Sequence, residues 1–412
     1  MRIATALVGL GAAVACIGAL EPSARAEAPV AVAHSELRLS AAEALKRARL
    51  GAPELRVARE REGIARADVD VTRVLPNPVV IAGTSTQAAR LGIGVAMALP
   101  ILGQRGATTD ASKADLDTSR IDVEVSWIDV RAAAARAYVA LWLAQELASA
   151  RKEGSAIASR LDDIVSSRVE LGAAPNVDGL RTKAERLRAE ADAHEADALV
   201  DAAASQLAFY LGSDEAIRAD GEYVVPTDAP PLAGLTARLA TNPLVRRENS
   251  DAHAADLRVD RERALARPTP VIEVGADIGD PTLPTTNYRA QLAIDVPLFS
   301  WRGPQIQREK ATAAAARSRA AVELSRSRAG LTSAYYTFLA TDGRAKTLRN
   351  GVLVAAEAAA RATEESYTLG RAQLVAVLDA SRTRLDTRIA LAEAIATRAH
   401  AWIEIERAVG TP

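Results

Sequence analysis

Apolar residues recur along this chain with two periods, and each period predicts a different kind of element. In Leu91, Ile93, Val95, Met97 and Leu99 the large apolar residues occupy every second position, with Gly92, Gly94, Ala96 and Ala98 between them. Side chains of a strand point to opposite faces in turn, so this run predicts a strand with one bulky apolar face and one face of small residues. The alternation returns later in the chain. Ile272, Val274, Ala276 and Ile278 are interleaved with Glu273, Gly275 and Asp277; Ala290, Leu292, Ile294, Val296 and Leu298 are interleaved with Arg289, Gln291, Ala293 and Asp295. Val79 to Gln87 reads as a further strand, but no face stands out in it. A half-buried sheet of a soluble protein would show the same alternation. Two features argue against it: the runs have about the 9–11 residues a tilted strand needs to cross a bilayer, and no other segment offers a partner sheet. Four strands cannot close a barrel, and an open edge cannot sit in lipid, so the pattern predicts that several chains pool their strands.

Elsewhere the period is helical. Gly103 to Leu171 contains no proline, and Gly303 to Leu369 contains none beyond Pro304. At 1.5 Å per residue each stretch predicts a helix roughly 100 Å long. Ile157, Leu161, Ile164 and Val169 form a narrow apolar stripe, as do Leu374, Leu378, Leu385 and Ile389. Such spacings suit coiled-coil seams rather than the broad face of a helix on a globule. The remaining faces are filled with Arg, Glu, Asp and Ala, and most of these charges read as solvated surface.

These elements come in duplicate. Pro76-Asn77-Pro78-Val79-Val80 recurs as Pro268-Thr269-Pro270-Val271-Ile272, Pro100-Ile101-Leu102-Gly103-Gln104-Arg105-Gly106 as Pro297-Leu298-Phe299-Ser300-Trp301-Arg302-Gly303, and Leu171-Gly172 as Leu369-Gly370. The order is kept and the offset is nearly constant (76 to 268, 100 to 297, 171 to 369), which is the signature of an internal repeat. Each half runs through a helix (Ser40 to Val74, then Asn242 to Ala266), a Pro-x-Pro, two strands, a very long helix to the Leu-Gly pair, and a long returning helix. This grammar divides the chain into a first repeat over 39–212, a connector over 213–232 that contains Pro226, Pro230 and Pro231, and a second repeat over 233–410.

Composition narrows the reading further. Fifty-one Lys and Arg balance 52 Asp and Glu, which argues against a nucleic-acid partner, since such proteins show a basic excess. Aromatic residues make up 3 % of the chain and alanine is abundant, as expected of closely packed helices rather than a thick core. Arg2, the apolar run Ile3 to Leu20 and Ala24-Arg25-Ala26 read as an export signal over 1–26, cleaved after Ala26. Cys16 could instead be a lipidated cysteine, although Ala13-Val14-Ala15 lacks the leucine usually found before one. It is the only cysteine, so cleavage leaves no thiol for a disulfide, a zinc site or a nucleophile. No later stretch is apolar enough for a membrane-crossing helix. His34, His194, His253 and His400 have no metal-ligand spacing, and neither a phosphate-cradling glycine loop nor a Gly-x-Ser-x-Gly elbow occurs. The sequence therefore predicts no enzyme, no cofactor and no metal site.

Taken together, these features resemble the TolC-like outer-membrane efflux proteins over nearly the whole chain, from about Leu39 to Gly410. The resemblance rests on the duplicated architecture, on Pro100 to Gly106 with Pro297 to Gly303, and on two tip motifs. The first runs from Leu171-Gly172 through Val177-Asp178; the second runs from Tyr367-Thr368-Leu369-Gly370 through Val377-Leu378-Asp379-Ala380. It implies a mostly α fold with a small membrane β part. A homotrimer would place twelve strands in the outer membrane and join its helices into a long periplasmic α-barrel. Tip turns at Gly172 and Gly370 would receive a periplasmic adaptor and an inner-membrane pump. In such a barrel the strand alternation turns Leu292, Ile294 and Val296 to lipid, and Glu273, Asp277, Arg289, Gln291 and Asp295 to the lumen. The short connector fits the branch serving heavy-metal and other cation pumps. A type I secretion duct shares the same architecture, and an exported structural coiled coil would explain the helices but not the strand pairs. By the same resemblance Asp379 matches the second of two tip aspartates, with Ala376 at the place of the first, and Asp178 and Tyr367 match residues that hold the tip shut. Plainer readings stand beside these: a surface carboxylate for Asp379, and a helix cap near Asn176 for Asp178.

Overall fold

The computed structural model describes residues 36–84, 91–279, 286–295 and 301–411. The export signal, Cys16, Val296 and the far end of the Val79 to Gln87 strand lie outside the described residues. The chain opens with a short strand β1 (Leu37–Leu39) and helix α1 (Ala41–Gly51). The start of α1 is fixed by a capping box, in which Ser40 Oγ accepts from the Glu43 amide at 3.3 Å and the Glu43 carboxylate accepts from the Ser40 amide at 3.0 Å. Helix α2 (Pro53–Arg73) begins on a proline, which costs nothing in a first turn whose N–H groups have no helical partner. Strands β2 (Val79–Gly83) and β3 (Leu91–Ala98) lead into α3 (Gln104–Glu170), 67 residues and about 100 Å long. Helix α4 (Asn176–Leu211) runs back.

The second half repeats this order. After strand β4 (Ile217–Ala219) and the short helix α5 (Leu232–Ala237) come α6 (Pro243–Leu265), β5 (Pro270–Ile278), β6 (Asn287–Ile294), α7 (Gly303–Thr347), α8 (Leu353–Thr368) and α9 (Leu374–Val409). The predicted second long helix differs from the first in one respect. A π-turn at Leu348–Val352 separates α7 from α8, whereas α3 is continuous. The four long-helix ends match in detail. Gly172, Gly212, Gly370 and Gly410 all adopt φ between 62° and 73°, and the second pair lies 198 residues after the first. At Gly172 and Gly370 the same Schellman bonds form: Gly172 and Ala173 donate to Val169 and Arg168, and Gly370 and Arg371 donate to Tyr367 and Ser366.

Helix α3 is the spine. Near the strands α2 and α6 lie beside it, with α7 beyond α6; toward the tip α4 and α9 lie beside it, with α8 beyond α9. Its middle is the largest core, where Ala134, Ala135, Tyr138, Leu141 and Trp142 pack with Leu207, Ile217 and Ile403. Alanines dominate that seam, which lets the helix backbones approach closely. The connector is more ordered than its composition suggests. β4 pairs in parallel with β1, Leu37 opposite Ile217 and Leu39 opposite Ala219. The Tyr138 hydroxyl donates to the carbonyls of Asp220 and Gly221 at 3.1 and 2.9 Å, and the Tyr223 hydroxyl donates to Glu406 Oε2 at 2.8 Å. Burial pushes the Tyr138 phenol up to about 12, with the nearby Asp220 charge acting the same way. Among the described residues no helix is long and apolar enough to cross a membrane.

Candidate channel wall and tip

The four longer strands form one antiparallel sheet in the order β2-β3-β5-β6. The two halves join at its centre, where β3 pairs with β5, Val95 opposite Val274 and Gly94 opposite Gly275. Register makes the faces continuous. Leu91, Ile93, Val95 and Met97 stand opposite Ile278, Ala276, Val274 and Ile272, and these continue across to Tyr288, Ala290 and Leu292. Gly92, Gly94 and Ala96 share the other face with Glu273, Gly275, Asp277, Asn287, Arg289 and Gln291. The small face predicted for β3 and the polar face predicted for β5 and β6 are therefore one surface. Register also settles β2, whose sequence shows no face: Val80 and Ala82 pair with Val95 and Ile93 on the apolar side.

The glycines of the polar face permit this pairing. A Cβ on Gly275 would stand 2.7 Å from the Ile93 carbonyl oxygen, and one on Gly94 3.2 Å from that of Val274. Above this floor lies a small ionic network. Arg289 Nη1 donates to both carboxylate oxygens of Asp277 at 3.0 and 3.1 Å, Arg289 Nη2 donates to Glu273 Oε1 at 3.1 Å, and Gln291 Nε2 donates to Glu273 Oε2 at 2.7 Å.

Where the strands pass into the long helices, the left-handed residues are Gly103 (φ 93°) and Arg302 (φ 53°). Arg302 is held there by Glu262 at the end of α6, to which its Nε and Nη2 donate at 2.9 and 2.5 Å. Burial pushes the Glu262 carboxyl up, but Arg302 and Arg261 outweigh it and hold the group below the usual carboxylate range. The Gly103 turn is clamped from the other half, since Arg267 Nη1 donates to the Leu102 carbonyl at 2.7 Å.

At the far end, the turns after α3 and α8 come together. Leu161 and Val165 of α3 pack with Tyr367 of α8 and with Leu374 and Val377 of α9. Tyr367 is 7 % exposed, and the Arg168 guanidinium carbon lies 4.6 Å from its ring centroid. Asp178 is half-buried in the first turn of α4, and Asp379 is exposed on α9. Within the chain no hydrogen bond joins Asp178 to Tyr367 among the described residues, and the partner the structure gives Tyr367 is Arg168. Sequence reasoning missed Arg168 because the two residues stand a full repeat apart and no motif marks the pair.

Sequence reasoning also missed a buried clasp in the first hairpin. Thr182 Oγ1 donates to Asp162 Oδ1 at 2.7 Å, and Arg186 Nε donates to Asp162 Oδ2 at 3.0 Å. The positions 198 residues on are Ala360, Ala380 and Arg384. Arg384 turns instead to Glu153 of α3 at 3.2 Å, while Arg382 joins α9 to Glu185 of α4. The signal was readable only as a difference between repeats: two alanines in one half where the other carries an acid and a hydroxyl.

Comparison with known proteins agrees with this architecture. The family model for outer membrane efflux proteins matches twice, over residues 44–213 and 238–411. The cobalt-zinc-cadmium resistance protein CzcC of Cupriavidus metallidurans is 24 % identical over 352 residues, 82 % of each chain. Among solved structures, CusC superposes with a TM-score of 0.75 at 14 % identity, covering 90 % of this chain and 92 % of that one. The open-state MtrE outer membrane channel of Neisseria gonorrhoeae superposes with a TM-score of 0.72 at 18 % identity, covering 90 % and 88 %. With a four-stranded antiparallel sheet, a TolC-like helical fold and the family model matched in both halves, the chain belongs to the outer membrane efflux protein family and is an exit duct of the outer membrane.

Proposed function

We propose that three copies assemble into one duct that carries divalent metal cations from a periplasmic adaptor and an inner-membrane pump to the exterior. The observation that carries the assembly is the pair of open sheet edges at β2 and β6, which lipid cannot solvate. The helices that continue from these edges also leave apolar stripes unpartnered. Val57, Ile64 and Val71 on α2 are exposed at seven-residue spacing, and so are Val322 and Tyr336, two heptads apart on α7. One edge of a copy meeting the opposite edge of the next closes both the sheet and the helices, a head-to-tail contact that forms a ring. In that ring the polar face, with Glu273, Asp277, Arg289, Gln291 and Asp295, lines the lumen, and the face with Leu292 and Ile294 meets lipid. Tyr288 and Trp301, exposed at opposite ends of the strands, suit the two membrane interfaces.

The cargo assignment rests on the name of the CzcC relative and on the lumen's chemistry, three carboxylates against one guanidinium in each copy. The turns at Gly172 and Gly370 form the docking end, and Asp178, Tyr367 and Asp379 act there as gate and filter. The test is purification from detergent-extracted outer membranes, with mass measurement and single-channel recording. A detergent-dependent trimer that conducts supports the proposal. A monomer released by aqueous buffer overturns it. Loss of zinc, cobalt or cadmium tolerance in a deletion strain, restored by the gene, tests the cargo.

A further inference from the structure

We infer that Arg289 sets the ionic preference of the membrane barrel itself, separately from any filter at the tip. The inference rests on the proposed reading in which the polar sheet face lines the lumen. Arg289 is the one cationic side chain on that face among the described residues, and its guanidinium spans from Asp277 to Glu273 across Gly275. Gly275 makes the span possible, because it stands opposite Arg289 and offers no side chain to obstruct it. Gly92 and Gly94 do the same on the other flank, where the Asp277 and Glu273 carboxylates lie over them. The result is a fixed girdle in which one positive charge sits between two negative ones, held flat against the wall, and Asp295 lies on the same side by alternation. Three copies place three such girdles at one level of the barrel.

Rings of fixed charge select ions by sign. With Arg289 in place the girdle of each copy holds one positive charge against the two negative charges of Glu273 and Asp277. Without it, Glu273 and Asp277 stand uncompensated and the barrel becomes strongly cation-selective. Arg289 thus keeps the exit permissive, so that a cation leaving the tunnel is not held at the last ring of carboxylates.

The experiment measures reversal potentials of the full-length trimer in planar bilayers under a potassium chloride gradient. At about 0.1 M salt, where the Debye length is about 10 Å, Arg289→Gln is expected to raise the cation-over-anion permeability ratio by about twofold or more. Arg289→Lys, which keeps the charge but not the fork, is expected to hold the parent ratio. The double variant Glu273→Gln with Asp277→Asn is expected to lower the ratio, and it provides the readout if Arg289→Gln fails to assemble. A parallel labelling experiment separates the two readings. Gln291→Cys should react with a membrane-impermeant thiol reagent, and Leu292→Cys should not. Labelling in the reverse sense overturns the lumen assignment. Labelling as expected with unchanged ratios in Arg289→Gln, or in the double variant, overturns the role of Arg289 alone.

Discussion

The stack of Arg168 on Tyr367 links the two hairpins at the tip, and under the proposed gating role it makes a measurable claim about closure. A guanidinium over an aromatic ring is worth about 0.5–1 kcal/mol when exposed and about 2 kcal/mol when desolvated. Arg168 is half-buried and the ring is nearly covered, so about 1 kcal/mol per chain is a fair middle. In the proposed trimer there would be three stacks, and if they hold the closed tip their loss would shift the gating equilibrium by about 3 kcal/mol, which at 1.4 kcal/mol per tenfold is about a hundredfold. Arg168→Gln should therefore raise the open fraction of single channels at low voltage about a hundredfold, and sensitise cells to large antibiotics. Tyr367→Leu, which keeps apolar bulk against Leu161 and Val165, should do the same. Tyr367→Phe keeps the ring and its stack and should change little. The reverse ordering, with Tyr367→Phe leaking and Arg168→Gln tight, would show that the hydroxyl rather than the ring closes the tip. Asp178→Ala distinguishes the rest: a leak from it points to a bond from Tyr367 across to a neighbouring chain.

Four further outcomes follow from other parts of the molecule. Leu292→Arg should deplete assembled trimer, because a charge facing lipid at the midplane costs about 2–4 kcal/mol, while Gln291→Arg should assemble normally; immunoblots of unheated membranes read both. Asp379→Asn should lower cation selectivity in bilayers at low salt, since the side chain is exposed and three copies in the proposed trimer would form a ring of carboxylates. Gly172→Ala and Gly370→Ala meet no neighbouring atoms, so each should cost only the left-handed backbone penalty of about 1–2 kcal/mol, seen as faster amide exchange in the last helical turn. Glu262 contributes stability above the pKa of an unfolded carboxylate and loses it as pH falls through its own lowered value; Glu262→Gln should therefore flatten the acid limb of the thermal melting profile.

Much of this molecule is written locally in its sequence. The alternation in Leu91 to Leu99 and in Ile272 to Ile278 fixes both faces of those strands, because each residue's face follows from its own position in the run. The helix ends at Gly172 and Gly370 are equally local: a left-handed residue is needed to close a Schellman turn, and glycine adopts it freely. The absence of proline over Gly103 to Leu171 allows one long helix. Asp178, Tyr367 and Asp379 stand out only through the family resemblance, and the structure brings Tyr367 into the contact between hairpins while leaving Asp379 on the surface. What the sequence could not decide is which distant segments meet. Val79 to Gly83 is apolar or small at every position, so only its register with β3 assigns it a face. Strands β1 and β4 have three residues each, too few for any period to appear, and only their pairing orders the connector. The π-turn at Leu348–Val352, the fork of Arg289 across Gly275 and the stack of Arg168 on Tyr367 depend on the shape of what lies opposite. A period repeats within a few residues and is visible wherever the chain is read; a contact across many residues has its cause in the packing of two surfaces, and neither segment alone carries its signature.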